Sequence, residues 1–176
     1  VGESEIHNGE SHSRTNLDLP GVQQQLIMEI KKTGRPIVMI LFAGRPVTIK
    51  WELENIPSIL MAWHPGVEGG NGIADVLFGD YNPAGKVTVT FPRNVGQIPI
   101  YYNMKNTGRP LIKGDRFTSQ YIDSPNTPLV PFGYGLSYTT FAYSDLKIEN
   151  AKIQIPGTVK VSADITNSGK LAGHEV

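Results

Sequence analysis

Three carboxylates and two imidazoles, Glu3, Glu5, Glu10, His7 and His12, crowd the opening stretch of the chain, interspersed with Asn8, Ser11, Ser13 and Arg14. Side chains of these types serve two chemistries. Histidines and carboxylates together bind metals, but His7 and His12 are five apart, whereas a helical zinc pair needs four, and nothing around them signals a helix. Polar loop residues that meet water are therefore the preferred reading of the histidines, and no metal site is expected. The second chemistry is proton transfer: a glutamate on a loop at the edge of a parallel sheet is well placed to hand a proton to a leaving oxygen. Spacing alone does not separate Glu3, Glu5 and Glu10, and taken alone it favours a solvated loop. His64, between Trp63 and Pro65, reads as a turn residue, and His174 carries no signal.

A glycine cluster, Gly66-Val-Glu-Gly-Gly-Asn-Gly72, offers a third chemistry, since it follows an apolar run and precedes a helical pattern as a dinucleotide loop would. The spacing is not G-x-G-x-x-G, Glu68 would set a carboxylate where a pyrophosphate belongs, and no GK[ST] follows. Glycines that let a helix approach a sheet closely are the favoured explanation. A G-x-S-x-G nucleophile elbow is absent. Lys plus Arg and Asp plus Glu are both 16, so no basic field draws nucleic acid or an anionic membrane. Cysteine is absent, which removes disulfides, thiolate zinc sites and cysteine nucleophiles.

Elements to position these groups are legible. The 176 residues make one or two domains, long enough to bury about 70% of the unfolded surface. Asp18 is expected to cap a helix over residues 20–33, with Val22, Leu26, Ile27 and Ile30 at helical spacing and Gly34 as a stop. Residues 37–43 form the longest apolar run, too short for a membrane span and suited to a strand buried on both faces. Gly44-Arg45-Pro46 turns the chain, residues 47–53 are ambiguous, residues 58–63 read as a second buried strand, and a short helix over 73–78 is stopped by Gly79. This alternation predicts an α/β layer with a parallel sheet. From Asp80 to Pro131 turn residues recur every few positions, and the alternating segment 86–91 leads into an extended loop region that suits a binding surface or a neighbour to wrap around. Residues 143–150 and 158–166 then alternate as strands, opening a sandwich that 38 residues are too few to close. Both ends read as cut edges: Val1 follows no initiator Met or signal pattern.

The order of several blocks decides among these readings. Gly9-Glu-Ser-His-Ser-Arg14, Gly44-Arg-Pro46, Trp63-His-Pro-Gly66 with Glu68-Gly-Gly70, Phe78-Gly-Asp-Tyr-Asn-Pro83, Thr90-Phe-Pro92, Pro99-Ile-Tyr-Tyr-Asn103 and Pro131-Phe-Gly-Tyr-Gly-Leu-Ser-Tyr138 resemble the C-terminal half of glycoside hydrolase family 3, in particular its bacterial β-glucosidases. The resemblance implies an α/β fold: the later part of the family's α/β sandwich domain over residues 1–131, a linker over 132–140, and the start of a fibronectin type III-like β-sandwich over 141–176. It implies a retaining β-glucosidase acting on terminal β-D-glucosyl residues, with no cofactor and no metal. Glu10, before the Ser-His-Ser-Arg block, falls on the family's acid/base position, while the aspartate nucleophile belongs to a preceding β/α barrel. Glu3 matches a second recurrent glutamate with no catalytic role assigned, and His12 stands where small residues are commoner.

By the same resemblance the partners are a β-glucoside or oligosaccharide, the barrel portion of the same enzyme and, as a further option, a second copy in a homodimer, with no nucleic acid or membrane. A periplasmic or secreted location is implied. Lacking a nucleophile, the fragment alone is expected to be inactive. A non-catalytic carbohydrate-binding or scaffold module is the competing class, in which Tyr101, Tyr102, Phe117 and Tyr121 stack on sugars; packing of an interdomain surface is the preferred role for those rings. A nucleotide-binding domain is a distant third.

Overall fold

The structure is a computed structural model that describes residues 1–150 and 152–176. The chain divides into two compact units, one comprising Val1–Gly70 and Val87–Tyr134, the other Asn71–Lys86 and Gly135–Val176.

The first unit is built on two parallel strands, β1 (Val38–Leu41) and β2 (Ser58–Met61), joined through helix α2 (Lys50–Asn55) and registered Val38 to Ser58 through Leu41 to Met61. Parallel neighbours need such a crossover, which settles the ambiguous stretch 47–53 as a lead into a helix. The extended N-terminal residues continue the layer. Gly2 bridges Phe42 in parallel fashion, the Glu3 amide donates to the Phe42 carbonyl at 2.8 Å, and the Phe42 amide donates to the Val1 carbonyl at 2.9 Å. The core gathers Leu19, Ile27, Met39, Leu41, Ala43, Val47, Ile49, Ile56 and Phe91. Burial in β1 alternates rather than covering both faces: Met39 and Leu41 are 4% and 0% exposed, but Val38 is 46% exposed. Helix α1 (Gln23–Lys32) buries only Ile27, leaving Leu26 and Ile30 exposed.

Asp18 does not cap α1. Gly21, at φ +62°, interposes a left-handed residue ahead of the helix, whose N-cap is Val22 with no side-chain cap. Asp18 instead accepts a hydrogen bond from the Thr48 hydroxyl.

Residues 92–131 of this unit have one short 3-10 turn, Val95–Gln97, and no strand; Phe91 forms an isolated antiparallel bridge with Val130. Side chains hold the loops in place of a ladder. Gln97, 2% exposed, accepts from the Arg93 amide at 2.7 Å and donates to the carbonyls of Pro125 (2.9 Å) and Thr127 (3.3 Å). The Arg93 guanidinium donates to the carbonyls of Thr127 and Pro128, each at 3.1 Å. It is the buried Gln97 amide that demands these partners, because an unpaired polar group in the interior costs about 1–3 kcal/mol.

Helix α3 (Gly69–Phe78) starts within the glycine cluster, four residues earlier than the sequence pattern predicts, and ends at Gly79 with φ +88°. The glycines do not mediate a helix-to-sheet approach. A Cβ on Gly70 or Gly72 would meet nothing within 4 Å, and one on Gly69 would clash at 2.5 Å with the ring of Pro65. The small residue is needed at Gly69 for the turn that leads into the helix.

In the second unit Asn82 organises the loops: its Oδ1 accepts from the Ser137 hydroxyl (3.0 Å) and the Tyr138 amide (2.7 Å), and the Tyr138 phenol donates to the Val76 carbonyl at 2.8 Å. Strands β3 (Phe141–Glu149) and β4 (Lys160–Asn167) pair antiparallel, with a register shift between Ser144 and Lys147 where Asp145 takes φ +52°. Tyr143 opposes Ile165 and Ile148 opposes Val161, which sets their apolar side chains on one face.

Candidate active-site loop

The glutamates that the sequence leaves undistinguished are separated sharply by the fold. Glu3, tied to β1 through its amide, has a side chain with no exposed surface, and its carboxylate meets two arginines. Arg14 Nη1 donates to Oε1 at 2.7 Å. Arg45 Nε lies 3.2 Å from the same oxygen, close enough for an ion pair but without the alignment of a hydrogen bond. Oε2 receives the Gly44 amide at 3.3 Å. A buried carboxylate is tolerated only when paired in this way. Glu3 is therefore a structural anion.

Glu10 stands at the opposite extreme. It is exposed, on a loop flanked by Gly9 at φ +108° and Ser11 at φ +63°, and its side chain has no hydrogen bond or ion pair among the described residues. Its backbone is restrained: the Glu10 carbonyl takes a 2.6 Å hydrogen bond from His12 Nδ1, which sets the proton on that ring nitrogen. Arg45 Nη2 donates both to the His7 carbonyl (2.5 Å) and to the His12 carbonyl (2.9 Å). The loop therefore leaves and returns at one guanidinium. Glu5 opens a single 3-10 turn, Glu5–His7, and is exposed.

Gly44 permits this assembly. A Cβ there would come within 2.5 Å of Asn8 Oδ1 and 3.0 Å of His64 Nε2, and the Gly44 amide also donates to Asn8 Oδ1 at 3.1 Å. His64 thus lies beside the loop, following Trp63, which adopts φ +52°. Arg14, Asn8 and Arg45 hold the loop and its anchoring glutamate, and residue chemistry alone does not single them out. The signal for them was the Gly44-Arg45-Pro46 turn directly after the first buried strand.

A polar depression of about 630 Å³ opens beside the loop, lined by His7, Ser13, Arg14, Asn16, Asp18 and Gln24 among others. Glu10 does not line it. Among the described residues no group of three or more His, Asp or Glu side chains is arranged to hold a metal, and no helix is long and apolar enough to cross a membrane. Of the aromatic candidates, Tyr101, Tyr102, Phe117 and Tyr121 are all exposed. Tyr102 is stacked on Phe132, centroids 4.8 Å apart, and the Arg116 guanidinium lies 4.8 Å from the Phe117 ring centre. Each of those two rings has a neighbour on one face.

Comparison with known proteins identifies the family. Residues 1–138 match the glycosyl hydrolase family 3 C-terminal domain. The chain is 51% identical, over 100% of its length and 23% of the relative's, to a periplasmic beta-glucosidase of Salmonella typhimurium. It is 48% identical to a beta-xylosidase of Formosa agariphila, again over 100% of the chain and 24% of the relative. A crystal structure of beta-glucosidase from Listeria innocua in complex with glucose superposes with a TM-score of 0.93 at 39% identity, covering 98% of this chain and 24% of that one. The chain thus spans about a quarter of the length of the relatives it matches. A family match over most of the residues bears out the resemblance read from the sequence: the chain belongs to glycoside hydrolase family 3 and carries its C-terminal domain.

Proposed function

We propose that this chain is the part of a retaining β-glucosidase that supplies the general acid/base from Glu10, while the aspartate nucleophile is contributed by an N-terminal barrel of the same enzyme. The observation that carries the reading is the contrast between the two glutamates of one short segment. A proton donor must present a free carboxyl to a leaving oxygen, and Glu10 is exposed on a loop restrained at its backbone, whereas Glu3 is consumed by two arginines. In a retaining mechanism the two carboxyl groups stand about 5–5.5 Å apart across the glycosidic bond. One attacks the anomeric carbon as the other protonates the departing oxygen; the donor, now a carboxylate, then takes a proton from the water that releases the sugar.

On this reading the substrate is a terminal β-D-glucosyl residue of a glucoside or oligosaccharide, and the place of work is the periplasm or the exterior, as with the periplasmic relative. Residues 1–131 serve as the later part of the α/β sandwich domain, residues 132–140 as a linker, and residues 141–176 as the opening strands of a fibronectin type III-like sandwich. The exposed apolar face of β3 and β4 is what two early strands of such a sandwich present before the facing sheet is added. Because the relatives are glycoside hydrolases, a non-catalytic binding or scaffold module is not favoured.

The test compares leaving groups in the intact enzyme. Glu10→Gln is expected to reduce kcat/KM for an alkyl β-glucoside by on the order of 100- to 10,000-fold, the usual contribution of general acid catalysis, and to leave kcat/KM for a dinitrophenyl β-glucoside nearly unchanged. Equal loss on both substrates removes Glu10 from the role. The isolated 176-residue fragment is expected to hydrolyse neither. Assay of nitrophenyl β-glucoside against the β-xyloside separates the activities named for the two relatives.

A further inference from the structure

Local contacts such as His12 Nδ1 on the Glu10 carbonyl hold part of the Glu10 loop, and a distant residue closes its base. Its backbone is gathered at two points five residues apart, the carbonyls of His7 and His12, and a single nitrogen, Arg45 Nη2, donates to both at 2.5 and 2.9 Å. Arg45 itself has little freedom. It follows the end of β1 through Gly44 and precedes Pro46, and its Nε faces the fully buried Glu3 carboxylate at 3.2 Å. Glu3 is in turn held beside the end of β1 by the hydrogen bond its amide donates to the Phe42 carbonyl, and by Arg14, whose Nη2 also donates to the Asp18 carbonyl at 3.0 Å. A continuous path of contacts therefore runs from the strand end through Glu3 and Arg45 to the backbone on either side of Glu10.

We propose that Arg45 is a positioning residue for proton transfer, setting the reach of the Glu10 carboxyl by closing the loop at its base. The inference rests on the acid/base reading of Glu10 and deepens it. Arginine suits the task because a planar guanidinium presents five donors in a fixed fork, so one face meets the carboxylate as another edge meets two carbonyls. A lysine ammonium keeps the charge opposite Glu3 but is a compact point donor that does not span both contacts. Without the clasp, the loop keeps the Gly44 amide on Asn8 and the His12 ring on the Glu10 carbonyl but loses the closure at its base, and the carboxyl shifts relative to the leaving oxygen. A displacement near 1 Å is enough to cost on the order of 100-fold in rate.

The experiment is Arg45→Lys in the intact enzyme, with kcat/KM measured for an alkyl β-glucoside and for a dinitrophenyl β-glucoside, beside Glu10→Gln and the double variant. The ratio of the two values does not depend on how much of the enzyme is folded, so a partly unfolded variant still answers. Arg45→Lys is expected to lower the alkyl value by about 10- to 100-fold and the dinitrophenyl value by less than about threefold. The double variant is expected to match Glu10→Gln alone, because positioning a missing acid has no effect. An unchanged ratio in Arg45→Lys, or losses that multiply in the double variant, overturns the role of Arg45 while leaving Glu10 in place. An unchanged ratio in Glu10→Gln overturns the acid/base reading and the positioning role with it.

Discussion

The two-stranded layers of this chain obey opposite logics. β1 and β2 are only four residues each, yet Leu41 is fully buried and Met39 nearly so, because they belong to a core with Leu19, Ile27, Val47, Ile49, Ile56 and Phe91. β3 and β4 are nine and eight residues long, but Tyr143, Ile148, Val161 and Ile165 are between 54% and 60% exposed. Strand length and alternation do not make a core; a second covering layer does. Stability should therefore concentrate in the first unit, and the buried ion cluster beside β1 should be its most sensitive point.

The sharpest way to break that contrast is Glu3→Ala, which strands the Arg14 and Arg45 guanidinium groups around an empty site. Removing one partner of such a buried pair costs about 3–5 kcal/mol, and denaturant titration of the intact enzyme should show the first unit unfolding earlier by that amount. Leu41→Ala, at a position with no exposure, should cost about 2–5 kcal/mol by the same measurement. Gln97→Ala, which leaves the Arg93 amide without its acceptor and the Pro125 carbonyl without its donor, should cost about 1–3 kcal/mol. Val161→Ala lies in the exposed hairpin, 57% accessible, and in the 176-residue fragment should change stability by no more than about 0.5 kcal/mol. A loss as large as that of Leu41→Ala would mean that the hairpin carries a core of its own.

The smallest effect is one of pH. The Tyr143 phenol donates to Glu175 Oε1 at 2.8 Å, and its pKa is raised above 10.0, first by that hydrogen bond, then by desolvation and by the Glu175 charge. The folded state then holds the proton more tightly than the unfolded chain. The stabilisation is fully present below the unfolded pKa and is lost as pH rises through the folded one. Thermal unfolding of the fragment from about pH 9 to pH 11 should show a slightly steeper fall for the parent than for Tyr143→Phe. Parallel curves would show that this contact contributes nothing.

The candidate site was legible in part. Glu10 was marked by the resemblance of its motif block, and the Gly44-Arg45-Pro46 turn was visible as a turn, but the pairing of Glu3 with Arg14 and Arg45 joins residues 11 and 42 positions apart in the chain, a separation that no local pattern reports. The same limit explains Asp18. Its type and place suit a helix cap, yet Gly21 breaks the approach and Thr48, 30 residues on, takes the carboxylate.

Sequence by itself determined what depends on near neighbours and on motif order: family membership, the parallel α/β layer, the helix over most of 20–33, and the two alternating strands near the end. Those follow from local periodicity and from short blocks whose residues act together. Tertiary structure alone decided which glutamate is buried and which is free, and that one arginine gathers both sides of the Glu10 loop. Burial and ion pairing are properties of distant segments brought together, so two carboxylates of identical chemistry, seven residues apart, acquire opposite surroundings only when the tertiary fold has formed.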